Sequence, residues 1–194
     1  MSAPVLESTA TPRRGSPLVK LLLVAGCALM ASMWIYYFFF ASEEGVYQMQ
    51  DPSWRATAQP ICKAAQDERN ALEDTTGGFI ENPTVEQMIQ RAEIVTKATD
   101  IVEDMLNRIV AIPVNNEKDQ IRLQVFDENY RLIIADRRRY AASLAEGTLV
   151  PYTETVVGGG PVSNVVLDFT AGVKGNNVPD CSPPGELGGD ITTG

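Results

Sequence analysis

The residues able to do chemistry in this 194-residue chain are defined first by one that is missing. There is no histidine, so Ser-His-Asp and Cys-His catalysis, histidine zinc sites and imidazole pH switching all lack their central group. Carboxylates are plentiful, with 25 Asp and Glu, and glycosidase-type paired acids would be drawn from them. Glu86, Glu93 and Asp100, however, recur every seven residues, and Glu103 and Asp104 extend the same surface, which describes a solvated helix face. A di-iron carboxylate bundle needs Glu-x-x-His pairs, and no acidic loop with the glycine and terminal glutamate of an EF-hand occurs. Gly158-Gly-Gly-Pro161 lacks the Gly-Lys-Ser/Thr of a phosphate loop and opens no helix, so it reads as a turn. No nucleophile–base pair or metal set can be assembled, and a non-enzymatic protein without cofactors is expected.

Two further groups carry chemical information. Arg137-Arg138-Arg139 is the one dense positive cluster, and three successive helical residues point in different directions. Exposed arginines pairing with acids such as Asp136 and Glu146 are expected. Tyr130, Arg137 and Tyr140 share one face, and Arg137 interrupts an apolar seam there; together they are the candidate contact for a partner or a small ligand. Cys62 and Cys181 are the cysteines outside the apolar N-terminal stretch, and in an oxidising setting they are expected to form a disulfide spanning 119 positions.

The elements that would position these residues begin with a membrane segment. Leu21 to Ala41 holds no charged residue and, at about 1.5 Å per residue, makes a helix of about 32 Å, which matches a hydrocarbon core of about 30 Å. Arg13, Arg14 and Lys20 precede it, and Glu43 and Glu44 follow it. The positive-inside rule therefore keeps residues 1–20, a short polar tail, in the cytoplasm and places the rest outside. Lys20, Trp34, Tyr36 and Tyr37 are the expected interfacial residues. Phenylalanines at the candidate cleavage positions, and the length of the run, argue for an uncleaved anchor.

Val24-Ala25-Gly26-Cys27 resembles the lipobox of bacterial lipoproteins. The apolar stretch between Lys20 and that box is too short for such a signal, and Ala-Leu-Met-Ala follows the cysteine in place of a polar tether. Cys27 is read as a small apolar residue in the helix.

The remainder is acidic. Residues 1–41 carry three basic residues against Glu7, which leaves 13 basic and 24 acidic residues, a balance of −11, for the exterior part. This charge and the compartment disfavour nucleic acid as a partner. Residues 42–56 read as a juxtamembrane linker and 57–146 as a helical domain. A first exterior helix is expected over 57–74, with Pro60 in its first turn and Ile61, Ala64, Ala65, Ala71 and Leu72 on its apolar face; it ends by Gly77-Gly78. A second helix starts at a Thr84/Gln87 capping box and runs to Pro113. Its seam is Met88, Ala92, Val95, Thr99, Val102, Leu106 and Ile109, and a second apolar line of Ile94, Ala98, Ile101, Met105 and Ile112 implies more than one neighbour. A third helix, 117–146, carries Leu123, Phe126, Tyr130, Ile133, Arg137, Tyr140 and Leu144, with Ile121, Val125 and Leu132 widening the face. The four-residue link at 113–116 makes these two antiparallel neighbours.

Residues 147–194 change character: ten glycines and five prolines predict a largely extended tail. Residues 162–169 are the expected strand, paired with 153–157 in a short β-hairpin. The class is all-α: one transmembrane helix, then an exterior three-helix arrangement dominated by a long antiparallel hairpin. The function expected is that of a single-pass, membrane-anchored exterior protein that binds another protein or itself; a sensor-like or ligand-binding helical domain is the alternative.

Overall fold

Pro17 opens a helix that needs no amide from it, and the apolar run carries that helix, α1, over Pro17–Phe40. A computed structural model describes residues 16–40, 45–72 and 82–185. This helix thus begins four residues before the uncharged run, with Lys20 in its first turn. Every described side chain of α1 is exposed, and the Ser32 hydroxyl donates back to the Leu29 carbonyl at 2.8 Å. Trp34 stacks on Phe38, and Tyr37 meets both edge-on. Residues 1–15 and 41–44, with most of the flanking charges, lie outside the described residues, as does Gly77-Gly78.

From Glu44 the chain forms one unit, so the helical domain and the tail are not separate bodies. Its first helix, α2 (Pro52–Asn70), starts five residues before the expected position. The Asp51-Pro52 pair is a start signal: Asp51 accepts from the Ser53 amide at 2.8 Å, and Pro52 takes the first-turn position where its missing N–H costs nothing. Pro60 consequently falls inside the helix, not in its first turn. The buried face is Trp54, Ala58, Cys62 and Ala65; of the face expected, Ala65 is buried and Ile61 packs partly buried against the core, while Ala64 and Ala71 are exposed.

Helix α3 (Val85–Val110) starts at the expected capping box, with both reciprocal bonds between Thr84 and Gln87 present. All seven seam residues are buried. Helix α4 (Glu117–Ala145) is capped by Asn116, which accepts from the Asp119 amide at 2.8 Å. It is closed by Gly147 at φ +72°, where a side chain would be strained. The contacts Thr99–Arg137 and Asn107–Arg131 run in opposite senses along the two helices, so α3 and α4 form the antiparallel hairpin. α3 also packs on α2, which gives it its second neighbour.

The tail departs most from expectation. Strands β1 (Val156–Val157) and β2 (Gly160–Pro161) make a two-residue ladder across Gly158 and Gly159, both at positive φ. The expected strand is instead helix α5 (Val162–Thr170), which buries Val162, Val166, Phe169 and Thr170. Those positions follow helical spacing, and packing on α4 decides the ambiguity of a short apolar run. Phe169 stacks on Phe126 with ring centroids 4.2 Å apart and meets Trp54 edge-on at 5.6 Å. A short 3-10 turn, Pro179–Cys181, then brings Cys181 to Cys62 on α2, and the two are disulfide-bonded.

The interior of this unit divides in two. The larger cluster joins Trp54 and Cys62 with the C-terminal half of α3, the first half of α4, and α5. The smaller one contains Met88, Ala92, Val95, Tyr140, Ala141, Leu144 and Tyr152.

Candidate functional site

Thr99 and Arg137 occupy the level between these two clusters, and both are buried. Arg137 Nε donates to Thr99 Oγ1 at 3.1 Å, and Thr99 in turn donates to the Val95 carbonyl at 2.6 Å. The expectation of three exposed arginines is therefore corrected at its first member, which is only 1% exposed. Arg138 does reach outward to Asp100 and Glu103, and these acids, Glu103 first, raise its pKa. Arg139 pairs with Asp136 at 2.6 Å, as the acid nearby in sequence suggested.

Tyr130 and Tyr140, the other members of the candidate contact, are also buried. Tyr130 lies in the larger cluster with its hydroxyl donating to the Ser182 carbonyl at 3.2 Å, and Tyr140 lies in the smaller one against Tyr152. The three residues share one face of α4 as expected, but that face is the interior. As a surface for a partner they are displaced; a small ligand between the helices would have to replace packed side chains.

Two buried acids tie chain segments together. Asp136 accepts from the Thr155 amide at 2.6 Å and its hydroxyl at 3.0 Å, which fastens the segment after Gly147 to α4. Asp119, near the start of α4, accepts from the amides of Gln50 and Asp51 at 2.9 Å, from Asn116 Nδ2 at 2.7 Å and from Arg122 Nη1 at 3.2 Å. Burial opposes its ionisation, but the Gln50 amide, Asn116, the Asp51 amide and Arg122 together outweigh burial and hold its pKa below the ordinary carboxylate value. Arg122 also donates to the Val46 carbonyl at 3.1 Å.

The same segment is held from its other side by Asn176. That amide accepts from Met49 N at 2.7 Å and donates to the carbonyls of Tyr47 and Phe169, each at 3.0 Å. Gly45 lies so close to Lys174 that a Cβ on it would meet the Lys174 carbonyl at 2.2 Å. The stretch 45–51, expected as linker, is thus a fixed part of the fold.

What is left on the surface is mostly solvated acid, with Glu86, Glu93, Asp100 and Asp104 exposed along α3. An open groove of about 450 Å³ is lined by Val110 to Val114, Gln120, Leu123, Gln124 and Asp127, and holds no pair of groups suited to acid–base work. No group of three or more potential metal ligands occurs among the described residues. Ile121, Val125 and Leu132, expected to widen the buried face of α4, point outward instead, at 55%, 37% and 38% exposure. Comparison with protein-family models, with curated proteins and with solved structures returned no match.

Sequence reasoning missed Trp54, Asp119 and Asn176, and it pointed to Asp136 only as an arginine partner, not as the tie to Thr155. A signal existed for one of them: Asn116 three residues before Asp119 is a capping pattern at a helix start. Nothing local marks Asn176, whose partners are 127 to 129 residues away or across a loop.

Proposed function

We propose that this chain is a single-pass membrane protein of the cell envelope, with α1 as its uncleaved anchor, its N-terminus cytoplasmic and its acidic helical unit outside. There the unit works by contact with another protein or with a further copy of itself, not by catalysis. The anchor is supported by a helix that is apolar on every side and exposed at every described side chain. The disulfide between Cys62 and Cys181 agrees with an oxidising exterior.

The observation that carries the interaction reading is the aliphatic line Ile121, Val125 and Leu132 on the outer side of α4. The inner side of the same helix faces the core, and these three side chains keep 55%, 37% and 38% of their area exposed on one outer stripe; exposed aliphatics grouped in this way mark contact surfaces. Crosslinking in intact membranes with a photoreactive group at position 125, followed by mass spectrometry, tests it. A discrete adduct, either with another protein or a dimer of this chain, is expected. An absence of adducts at position 125, with efficient photolysis, contradicts the reading.

A further inference from the structure

Two of the most exposed apolar side chains after α1 lie on neighbouring segments, Val46 on the stretch that follows α1 and Val173 on the 172–177 loop. Val46 is 78% exposed and Val173 is at 106%, the value of a side chain with no cover at all. Their neighbourhood is fixed by bonds, not by chance proximity. Gly45 abuts Lys174, Arg122 donates to the Val46 carbonyl, and Asn176 joins the 172–177 loop to Tyr47 and Met49. A loop tip ending in Val173-Lys174 and a segment bearing Val46 are thus presented as one rigid feature.

Chain length limits where that feature can be. Residues 41–44 alone connect Phe40, the end of α1, to Gly45, and even fully extended they span about 18 Å. With α1 in a bilayer, Gly45 and the loop packed on it stay within about 18 Å of the end of α1, within reach of the headgroup layer. The local charge is compatible with that position. Arg55, Lys118, Arg122 and Lys174 offset most of the acids at this end, Glu43, Glu44, Asp51, Glu117, Asp119 and Asp168, and leave a balance of −2, whereas the exterior part as a whole carries −11. An acidic unit meets anionic headgroups with less repulsion at such a weakly charged end.

We infer that Val46 and the Val173-Lys174 loop form a second membrane contact, inserting two aliphatic side chains into the headgroup region while the Lys174 ammonium meets lipid phosphates. The occupant of this surface is the lipid bilayer that α1 crosses. The contact seats the exterior unit on the membrane by the end that holds residues 45–51. Val46 supplies its apolar side chain and the clamp formed by Asp119 and Asn176 supplies its rigidity.

Because this depends on the anchoring proposed above, the test carries its own control. The full chain, with Cys27→Ala, is reconstituted in vesicles of phosphatidylcholine with a minority of phosphatidylglycerol. An environment-sensitive fluorophore is attached through Val46→Cys, Val173→Cys, Met30→Cys or Val156→Cys, one at a time, and quenched by nitroxide lipids. The result expected is a blue-shifted emission and several-fold stronger quenching at 46 and 173 than at 156, an exposed position on the β1 strand, together with deep-membrane behaviour at 30. If position 30 is quenched in the bilayer while 46 and 173 behave like 156, the second contact is overturned and the anchor stands. If position 30 also behaves like 156, the anchor itself fails and the contact with it.

Discussion

Arg137 Nε donates to Thr99 Oγ1 at 3.1 Å across the α3–α4 interface, between an apolar cluster stapled by the Cys62–Cys181 bond and a smaller one that no covalent link holds. A polar layer inside a long helical hairpin fixes which residues face each other, because any slip of one helix along the other would bury the guanidinium against apolar seam residues. It also interrupts the contact that would make the two clusters one.

Substitutions in this layer should separate packing from polarity. Arg137→Ala leaves a cavity and is expected to cost about 2–5 kcal/mol, whereas Arg137→Met, which fills the space without a charge to desolvate, should be near neutral or stabilising. Thr99→Val removes one partner of a buried donor and should cost about 1–3 kcal/mol. Urea unfolding of the fragment from Gly45 onward measures all three.

The divided core predicts uneven opening. Amides of 88–98 and 138–145 should exchange hydrogen through a lower-energy opening than those of 102–109 and 123–134, which exchange only on global unfolding. Hydrogen exchange with mass spectrometry resolves the two sets. The difference should shrink in Arg137→Met, where the clusters become continuous.

Removing the disulfide should act on the tail. Closing a span of 119 positions stabilises by about 4–5 kcal/mol in the chain-entropy model, so replacing Cys62 and Cys181 with serine is expected to cost a large part of that. Helix α5 should lose its exchange protection before α3 does, since Phe169 depends on the returning segment to stay against Trp54 and Phe126.

Asp119 sets a pH dependence with a definite sign. Its carboxyl has a folded pKa below the unfolded value of about 3.9, so the folded state binds fewer protons there. The stabilisation is complete above the unfolded value and is lost as pH falls through the folded one. Asp119→Asn should therefore be less stable than the parent at pH 7, by about 1–3 kcal/mol, with the gap narrowing at pH values below the ordinary carboxylate range. A gap unchanged down to strongly acid pH would place the effect in packing alone.

Much of the hairpin was legible because its signals are local and repeated. A capping box, a four-residue link and seven-residue seams each specify the same two helices, and all fourteen seam positions are buried, Arg137 included. The start of α2 was misplaced because Asp51-Pro52 fits both a linker and a capped first turn; only the burial of Trp54 against the Ile109 carbonyl separates them. Residues 162–169 were misread because Val-rich runs favour strands until a partner is present, and here the partner is the aromatic face of Phe126, known only once the chain has folded back. Tyr130 and Tyr140 have the chemistry of a contact face, but a tyrosine on a seam can satisfy its hydroxyl at the edge of a core, as Tyr130 does at Ser182.

Labelling of single cysteines in intact cells with a membrane-impermeant maleimide tests the anchored, exterior placement most directly. In chains carrying Cys27→Ala, the account predicts that Val156→Cys is labelled in intact cells and Ser16→Cys only after permeabilisation, with both variants in the membrane fraction. Labelling of Ser16→Cys but not Val156→Cys in intact cells, or recovery of the protein free of membranes, would contradict it.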